Sequence, residues 1–310
     1  MEIIKIISFS IICVILVKCS SSRYVYKSSL IADAKCIKNN TIDELLYAAH
    51  EYEIQNDYEK AINKYGAAIN ENRKCSRLFY LRSEAYFMKK KYKAAVKDIS
   101  VAIFLHPKEY YFFYLRAYYN FYLKKYSDLI ADLNLFLKKF PKNYDGLMLK
   151  SRVYYQLKNY KKTIDILSDA TKFQYNNRGI YFIKAVCYYK LKKYKIALNQ
   201  INKALGYNKK NIQYLRFKSL MFFRMKNLKK SNYFLRKALQ YGPHDPISNY
   251  DMACYYSRIN NKEKAIIYLT RAVQYGYRNV KHMQKDKDLN NIKNSKEFKI
   301  IVNKLRASSK

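Results

Sequence analysis

The sequence predicts an all-α solenoid of helical hairpins, and three observations carry that prediction. One pattern recurs every 34 residues from Ile42 to Asn279, seven times in phase and without an insertion or deletion. At one phase of that period every residue is small: Ala49, Ser83, Ala117, Ser151, Ala185, Ser219 and Ala253. At a second phase stand Ala68, Ala102, Ala170, Ala204, Ala238 and Ala272, interrupted only by Phe136. Small side chains at fixed helical spacing mark where two helices approach closely. The composition agrees: 50% of residues are apolar and 16% aromatic, whereas six glycines and four prolines are too few for a loop-rich fold. A solenoid buries its core between neighbouring hairpins, so a chain of this length need not divide into globular domains.

Taken in order, the chain opens with a segment unlike the rest. Ile6 to Val17 is an apolar run of 12 residues, short of the ~20 that span a bilayer and suited to the apolar core of a secretory signal. It ends in Leu16-Val17-Lys18-Cys19, followed by Ser20, Ser21 and Ser22. That pattern is similar to a bacterial lipoprotein signal, in which the cysteine becomes the lipidated first residue and a polar tether follows. Lys18 departs from the small residue expected there, so an ordinary cleaved signal and an uncleaved anchor stand as alternatives to lipidation at Cys19. Residues 1–18 are expected to be a signal and 19–41 a polar tether and lead-in. Cys36 precedes the first helix of the first unit and Cys75 follows its second, at one edge of an antiparallel hairpin. A Cys36–Cys75 disulfide is therefore geometrically allowed in an oxidising compartment, with two free thiols as the other reading.

Seven units follow, at 42–75, 76–109, 110–143, 144–177, 178–211, 212–245 and 246–279. The clearest runs from Ser76 to Glu109. There Phe79, Ser83 and Tyr86 share one helical stripe, and after a polar turn Ala95, Ile99 and Ala102 form another. Pro107 ends the second helix, because it lacks an N–H and restricts the residue before it. An aromatic opens the second helix at Tyr58, Tyr92, Tyr126, Tyr160 and Tyr194, giving way to Leu228 and Lys262. This pattern resembles the tetratricopeptide repeat over about three-quarters of the chain. The resemblance implies a right-handed superhelix in which the first helix of each hairpin lines a concave groove, and a scaffold that binds other proteins. The family's turn glycine is replaced by Asn56, Lys90, Lys124, Lys158, Lys192, Lys226 and Asn260; asparagine tolerates a left-handed backbone better than lysine does. The third unit departs further, with Leu129 and Phe136 at small-residue positions and Asn120 at an aromatic one, which predicts splayed helices there. After Asn279 the phase is lost. Asp286, Leu289, Ile292, Phe298, Ile301 and Leu305 then predict a capping helical element over 280–307, within a final segment 280–310.

Aromatic residues supply the first candidate site. Tyr110 to Leu123, YYFFYLRAYYNFYL, is apolar or aromatic at 12 of 14 positions. Tyr111, Tyr114, Tyr118 and Tyr122 form a stripe apart from Phe113, Ala117 and Asn120. Tyr80, Tyr155, Phe182, Tyr189, Phe223 and Tyr250 stand at matching phases, with Arg152 and Arg216 at related ones. Together they predict an aromatic groove for a partner peptide or helix, since tyrosine offers large contact area with a polar tip. Packing between hairpins accounts for the same residues, and both readings stand.

Charge supplies the second. The formal net charge is +38, from 61 Lys and Arg against 23 Asp and Glu. Lysines gather at the hairpin turns: Lys89, Lys90 and Lys91, Lys124 and Lys125, Lys161 and Lys162, Lys192 and Lys193, Lys229 and Lys230. Stacked, they would line one edge suited to an anionic membrane, an acidic wall polymer or nucleic acid; a merely solvated face is the other reading. A lipid at Cys19 together with this edge would form a two-signal anchor. His50, His106, His244 and His282 are scattered, and no HExxH, P-loop, GxGxxG or nucleophile–base pattern occurs, so neither catalysis nor a metal or cofactor is expected. The reading is a non-enzymatic interaction scaffold of a bacterial cell envelope, exported and either lipid-anchored or periplasmic, with a protein or peptide partner. The alternative is a basic helical-repeat protein on RNA or another polyanion, cytoplasmic and steeply salt-sensitive.

Overall fold

The computed structural model describes residues 40–173 and 178–307. The expected signal, Cys19 and Cys36 lie outside the described residues. The described residues are helical, with no strand among them, and fall into two compact units. The first holds four hairpins: α1 (Asn40–Ile54) with α2 (Tyr58–Glu71), α3 (Ser76–Met88) with α4 (Tyr92–Leu105), α5 (Tyr110–Tyr122) with α6 (Tyr126–Lys139), and α7 (Tyr144–Gln156) with α8 (Tyr160–Lys172). The second holds three: α9 (Arg178–Lys190) with α10 (Tyr194–Tyr207), α11 (Ile212–Arg224) with α12 (Leu228–Tyr241), and α13 (Pro246–Arg258) with α14 (Lys262–Gln274). It ends in α15 (Val280–Lys285), a 3-10 turn (Lys287–Leu289) and α16 (Lys296–Ala307). Within each unit the hairpin helices pack in chain order, the arrangement of an α-solenoid.

One turn chemistry closes every hairpin. Asn56, Lys90, Lys124, Lys158, Lys192, Lys226 and Asn260 all have φ between 57° and 61°. At each, two backbone hydrogen bonds satisfy the last carbonyls of the first helix. Lys90 N–H donates to Phe87 O at 2.9 Å and Lys91 N–H to Tyr86 O at 2.9 Å, which is the Schellman pair of bonds. The residue after the left-handed one then begins the next helix. Asp57, Asn159, Asn227 and Asn261 accept from the N–H three residues on, whereas Lys91, Lys125 and Lys193 give no side-chain cap. The connections between hairpins are capped by Asn143, Asn211 and Asp245.

The two small-residue phases are buried throughout, from Ala49, Ser83 and Ala117 to Ala238, Ala253 and Ala272. Phe136, the large residue at an alanine phase, is buried as well. Its volume is offset across the hairpin boundary by Gly146, where an added Cβ would come within 3.0 Å of both Phe136 and Leu137. At the same phase the neighbouring hairpins carry the buried Leu78, Phe112, Ile180 and Tyr214. A large-for-small exchange at one phase thus meets a small-for-large exchange at the other, which conserves volume across the boundary. Asn120 is buried with its Oδ1 unpartnered. At the end of the second unit Met283, Leu289, Ile292, Phe298, Val302 and Leu305 join the core under α13 and α14, the apolar cover a terminal hairpin requires.

Candidate partner-binding surfaces

In the first unit α5 carries a continuous aromatic ladder. Tyr111 stacks on Tyr114 (centroids 5.7 Å apart), Tyr114 on Tyr118 (6.4 Å), and Tyr118 meets Tyr122 edge-on (5.5 Å), with their hydroxyls 3.2 Å apart. Two residues outside the expected groove set extend it: Phe87 contacts Tyr118 and Tyr122 (5.3 and 5.2 Å), and Tyr92 stacks on Tyr122 (4.9 Å). Tyr114 and Tyr118 are half-buried and Tyr122 is 38% exposed, so the ladder rests on the core through one edge and presents the other. Beside it the Arg152 guanidinium lies 4.2 Å over the ring of Phe121. Phe87 and Tyr92 stand at phases shared with Tyr155 and Tyr160, and that was the available signal for them.

The other candidate groove residues divide by burial. Tyr80, Tyr111, Tyr155, Phe182, Tyr189, Arg216 and Tyr250 are each less than a tenth exposed, while Tyr114, Tyr118, Tyr122, Arg152 and Phe223 keep surface. Tyr80 stacks on Phe112 of the next hairpin (5.7 Å), Phe182 meets Tyr214 of the next hairpin at a tilt (4.9 Å) and Tyr250 stacks on Tyr277 (4.3 Å). The Tyr250 hydroxyl donates to Asp286 Oδ2 at 2.9 Å, and burial raises its pKa. The same carboxylate accepts from the Asp288 N–H through Oδ1 (2.9 Å) and so starts the 3-10 turn.

Charged pairs flank the aromatic rows. Arg82 grips Asp98 through Nε→Oδ2 (2.6 Å) and Nη2→Oδ1 (3.0 Å), and Arg116 grips Asp132 the same way (2.8 and 2.7 Å). Both are bidentate forks within one hairpin. In the second unit Arg216 reaches the next hairpin and makes a single bond, Nε→Asp251 Oδ2 at 2.7 Å. Burial pushes the Asp251 carboxyl above its usual range, against the pull of Arg216.

The turn lysines are exposed: Lys89, Lys90, Lys91, Lys124, Lys125, Lys161 and Lys162 in the first unit, and Lys192, Lys193, Lys229 and Lys230 in the second. Lys91 and Lys89 approach Glu59 at 3.0 and 3.7 Å, and the hydrogen bond from Lys91 holds that carboxyl below its usual range. Lys162 and Lys230 lie 5.1 and 5.5 Å over Tyr154 and Phe222. Cys75 is buried and disulfide-bonded; Cys36, its expected partner, lies outside the described residues. Cys187 and Cys254 are buried free thiols. Among the described residues no group of three or more His, Cys, Asp or Glu side chains could hold a metal ion, and no helix is long and apolar enough to cross a membrane.

The hairpins are tetratricopeptide-like. A tetratricopeptide-repeat family model matches residues 48–110, and a model described as anaphase-promoting complex, cyclosome, subunit 3 matches residues 129–204. Among solved structures, the C-terminal part of a TPR repeat-containing protein from Cytophaga hutchinsonii is similar at a TM-score of 0.65 and 15% identity, covering 80% of this chain and 98% of that one. A tetratricopeptide repeat protein from Parabacteroides merdae is similar at 0.58 and 15% identity, covering 86% of this chain and all of that one. MamA from Desulfovibrio magneticus RS-1 is similar at 0.50 and 15% identity, covering 54% and 94%. At such identities the likeness is one of fold. No curated protein matches the sequence significantly.

Proposed function

We propose that the protein is a non-catalytic interaction scaffold that binds a partner peptide or helix on the aromatic ladder of α5. The observation that carries this reading is the ladder itself, with Tyr118 stacked on Tyr114 and edge-on to Tyr122, anchored on Phe87 and left with surface. Stacked tyrosines are held before a partner arrives, so little side-chain entropy is lost on binding. The exposed turn lysines would favour an anionic surface nearby, and a bonded Cys75 suits an oxidising compartment. On that basis the scaffold works in a bacterial envelope, exported and anchored through Cys19.

Two experiments test this. Partner capture from the native host is expected to drop at least tenfold with Tyr118→Ala and Tyr122→Ala, provided thermal melting shows both variants folded; undiminished recovery would count against the ladder. Fatty-acid labelling that disappears in Cys19→Ala is expected for the anchor. A mature chain that keeps Met1 to Lys18 and takes no label would remove the envelope reading and leave RNA or another polyanion as the ligand of the lysine edge.

A further inference from the structure

The second unit holds a cavity built differently from the ladder. It is open to solvent on one side and offers ≈ 40 Å³, about three times the ~10–15 Å³ that one ordered water needs. Its walls include Phe217, Leu220 and Phe223, and its polar groups include Arg216, Asp251 and Asp288. Carboxylates are scarce here: residues 176–310 contain only Asp245, Asp251, Glu263, Asp286, Asp288 and Glu297. Two of these six line one small cavity.

The decisive feature is the unfinished fork. Arg82–Asp98 and Arg116–Asp132 each close with two bonds, Nε→Oδ2 and Nη2→Oδ1. Arg216–Asp251 makes only the first, and Arg216 Nη2 and Asp251 Oδ1 are both buried without a hydrogen-bond partner. Arg216 is 6% exposed. A donor and an acceptor that elsewhere bond each other are thus left open beside a cavity, and a buried polar atom without a partner is costly to keep.

We propose that this open fork is a binding site for a carboxamide, whose C=O accepts from Arg216 Nη2 and whose N–H donates to Asp251 Oδ1. The Arg216–Asp251 pair is neutral, so a neutral ligand with one acceptor and one adjacent donor fits it. A carboxylate would accept from Arg216 but stand against Asp251 and Asp288. An ammonium or guanidinium would meet Arg216, with Arg224 and Arg258 close to Asp288 at 3.9 and 3.8 Å. The apolar walls suit a carboxamide on an apolar stem, either a glutamine or asparagine side chain of a bound polypeptide or a free small molecule. The site lies in a different unit from the ladder and does not depend on it.

Benzamide and benzoate test the proposal, because they differ only in the head group and the chain's net charge of +38 favours benzoate at long range. Titrated into the full chain and followed by ligand-observed NMR, benzamide is expected to bind at least tenfold more tightly. Leu220→Trp, at the half-buried wall, is expected to abolish that binding without loss of fold. Asp251→Asn, which replaces the charged acceptor, should bring the two ligands within about threefold if the chain remains folded. Blocked tripeptides with a central glutamine or glutamate separate the sources: a glutamine peptide tighter than benzamide identifies a polypeptide ligand, and benzamide binding alone a free carboxamide. Equal or tighter binding of benzoate, no binding of either amide, or full benzamide binding to folded Leu220→Trp would each overturn the proposal and leave the cavity to water.

Discussion

Replacing the left-handed lysines with glycine is expected to raise stability, hairpin by hairpin. Lys90, Lys124, Lys158, Lys192 and Lys226 sit at φ between 57° and 60°, where a Cβ crowds the following carbonyl at a cost of roughly 1–2 kcal/mol. Glycine removes that crowding but adds about 0.4–1 kcal/mol of unfolded-chain entropy, so each substitution should gain about 0.5–1 kcal/mol. For units of this size that is about 1–4 °C in melting temperature. The five sites belong to five separate turns, so their effects should nearly add. Urea denaturation of each single variant and of the fivefold variant measures the gain. Two controls separate backbone from charge. Lys90→Ala removes the same charge but keeps a Cβ, and should gain little. Lys89→Gly lies at φ −75°, where glycine brings only its entropy, and should lose about 0.5–1 kcal/mol. If Lys90→Gly and Lys89→Gly shift stability in the same direction, the left-handed turn is not a reservoir of strain and the reasoning fails.

Four further outcomes follow from the packing and charges. Asp98→Ala leaves Arg82 part-buried without its fork partner and should cost about 3 kcal/mol by denaturant unfolding, with Arg82→Met/Asp98→Leu recovering most of it. Lys150 has its pKa lowered by burial and, less, by Lys162. The folded state therefore binds fewer protons than the unfolded one between that lowered pKa and the ordinary lysine value of about 10.4, and stability rises with pH across that window; Lys150→Met should flatten the rise and gain about 0.5–1 kcal/mol at neutral pH. Cys75→Ser, or reduction, should cost about 2–5 kcal/mol in thermal unfolding, because Cys75 is buried and bonded. Gly146→Ala pushes a Cβ onto Phe136 and Leu137 and should cost about 1–3 kcal/mol, a loss that Gly146→Ala/Phe136→Leu should reduce.

The hairpins, their turns and the buried small residues were legible because a 34-residue period ties each choice to seven repetitions, and packing of like on like tolerates no drift in phase. The left-handed turn could be placed from Lys90 and Asn260 standing where the family has glycine, although lysine there runs against local preference. Exposure was harder to read. Tyr80, Phe182 and Tyr250 share a helical phase that points toward a groove, yet the following hairpin closes over the first two through Phe112 and Tyr214, and the connection after α14 closes over Tyr250 through Tyr277. A single helix shows which residues share a face; only the next element decides how much of that face stays open. The fit of Phe136 against Gly146 was hidden for the same reason: each looks anomalous at its own phase, and they cancel only across a hairpin boundary. The open fork at Arg216 needed the structure outright, since Asp251 lies 35 residues away on another hairpin.

The phase that carries Arg82 and Arg116 shows how part of the charge imbalance is built. One period later it becomes Lys150, then Lys184 and Lys218, while the phase of Asp98 and Asp132 continues as Ile166, Gln200 and Phe234. The carboxylate disappears where the guanidinium does. A guanidinium's advantage is its planar fork, and without a carboxylate to receive it a lysine serves as well, burying its methylenes and keeping its ammonium near water. Lys218 shows the substitution most directly, with its ammonium 4.3 Å over the ring of Phe234, so a cation–π contact stands at the phase where an ion pair stood. Burial lowers the pKa of all three lysines, which marks them as part of the packing. The turn lysines, exposed and beyond the core, are the separate population. Neutralising the turn lysines therefore tests attraction to an anionic surface with little effect on folding, while neutralising the phase lysines tests folding with little effect on that attraction.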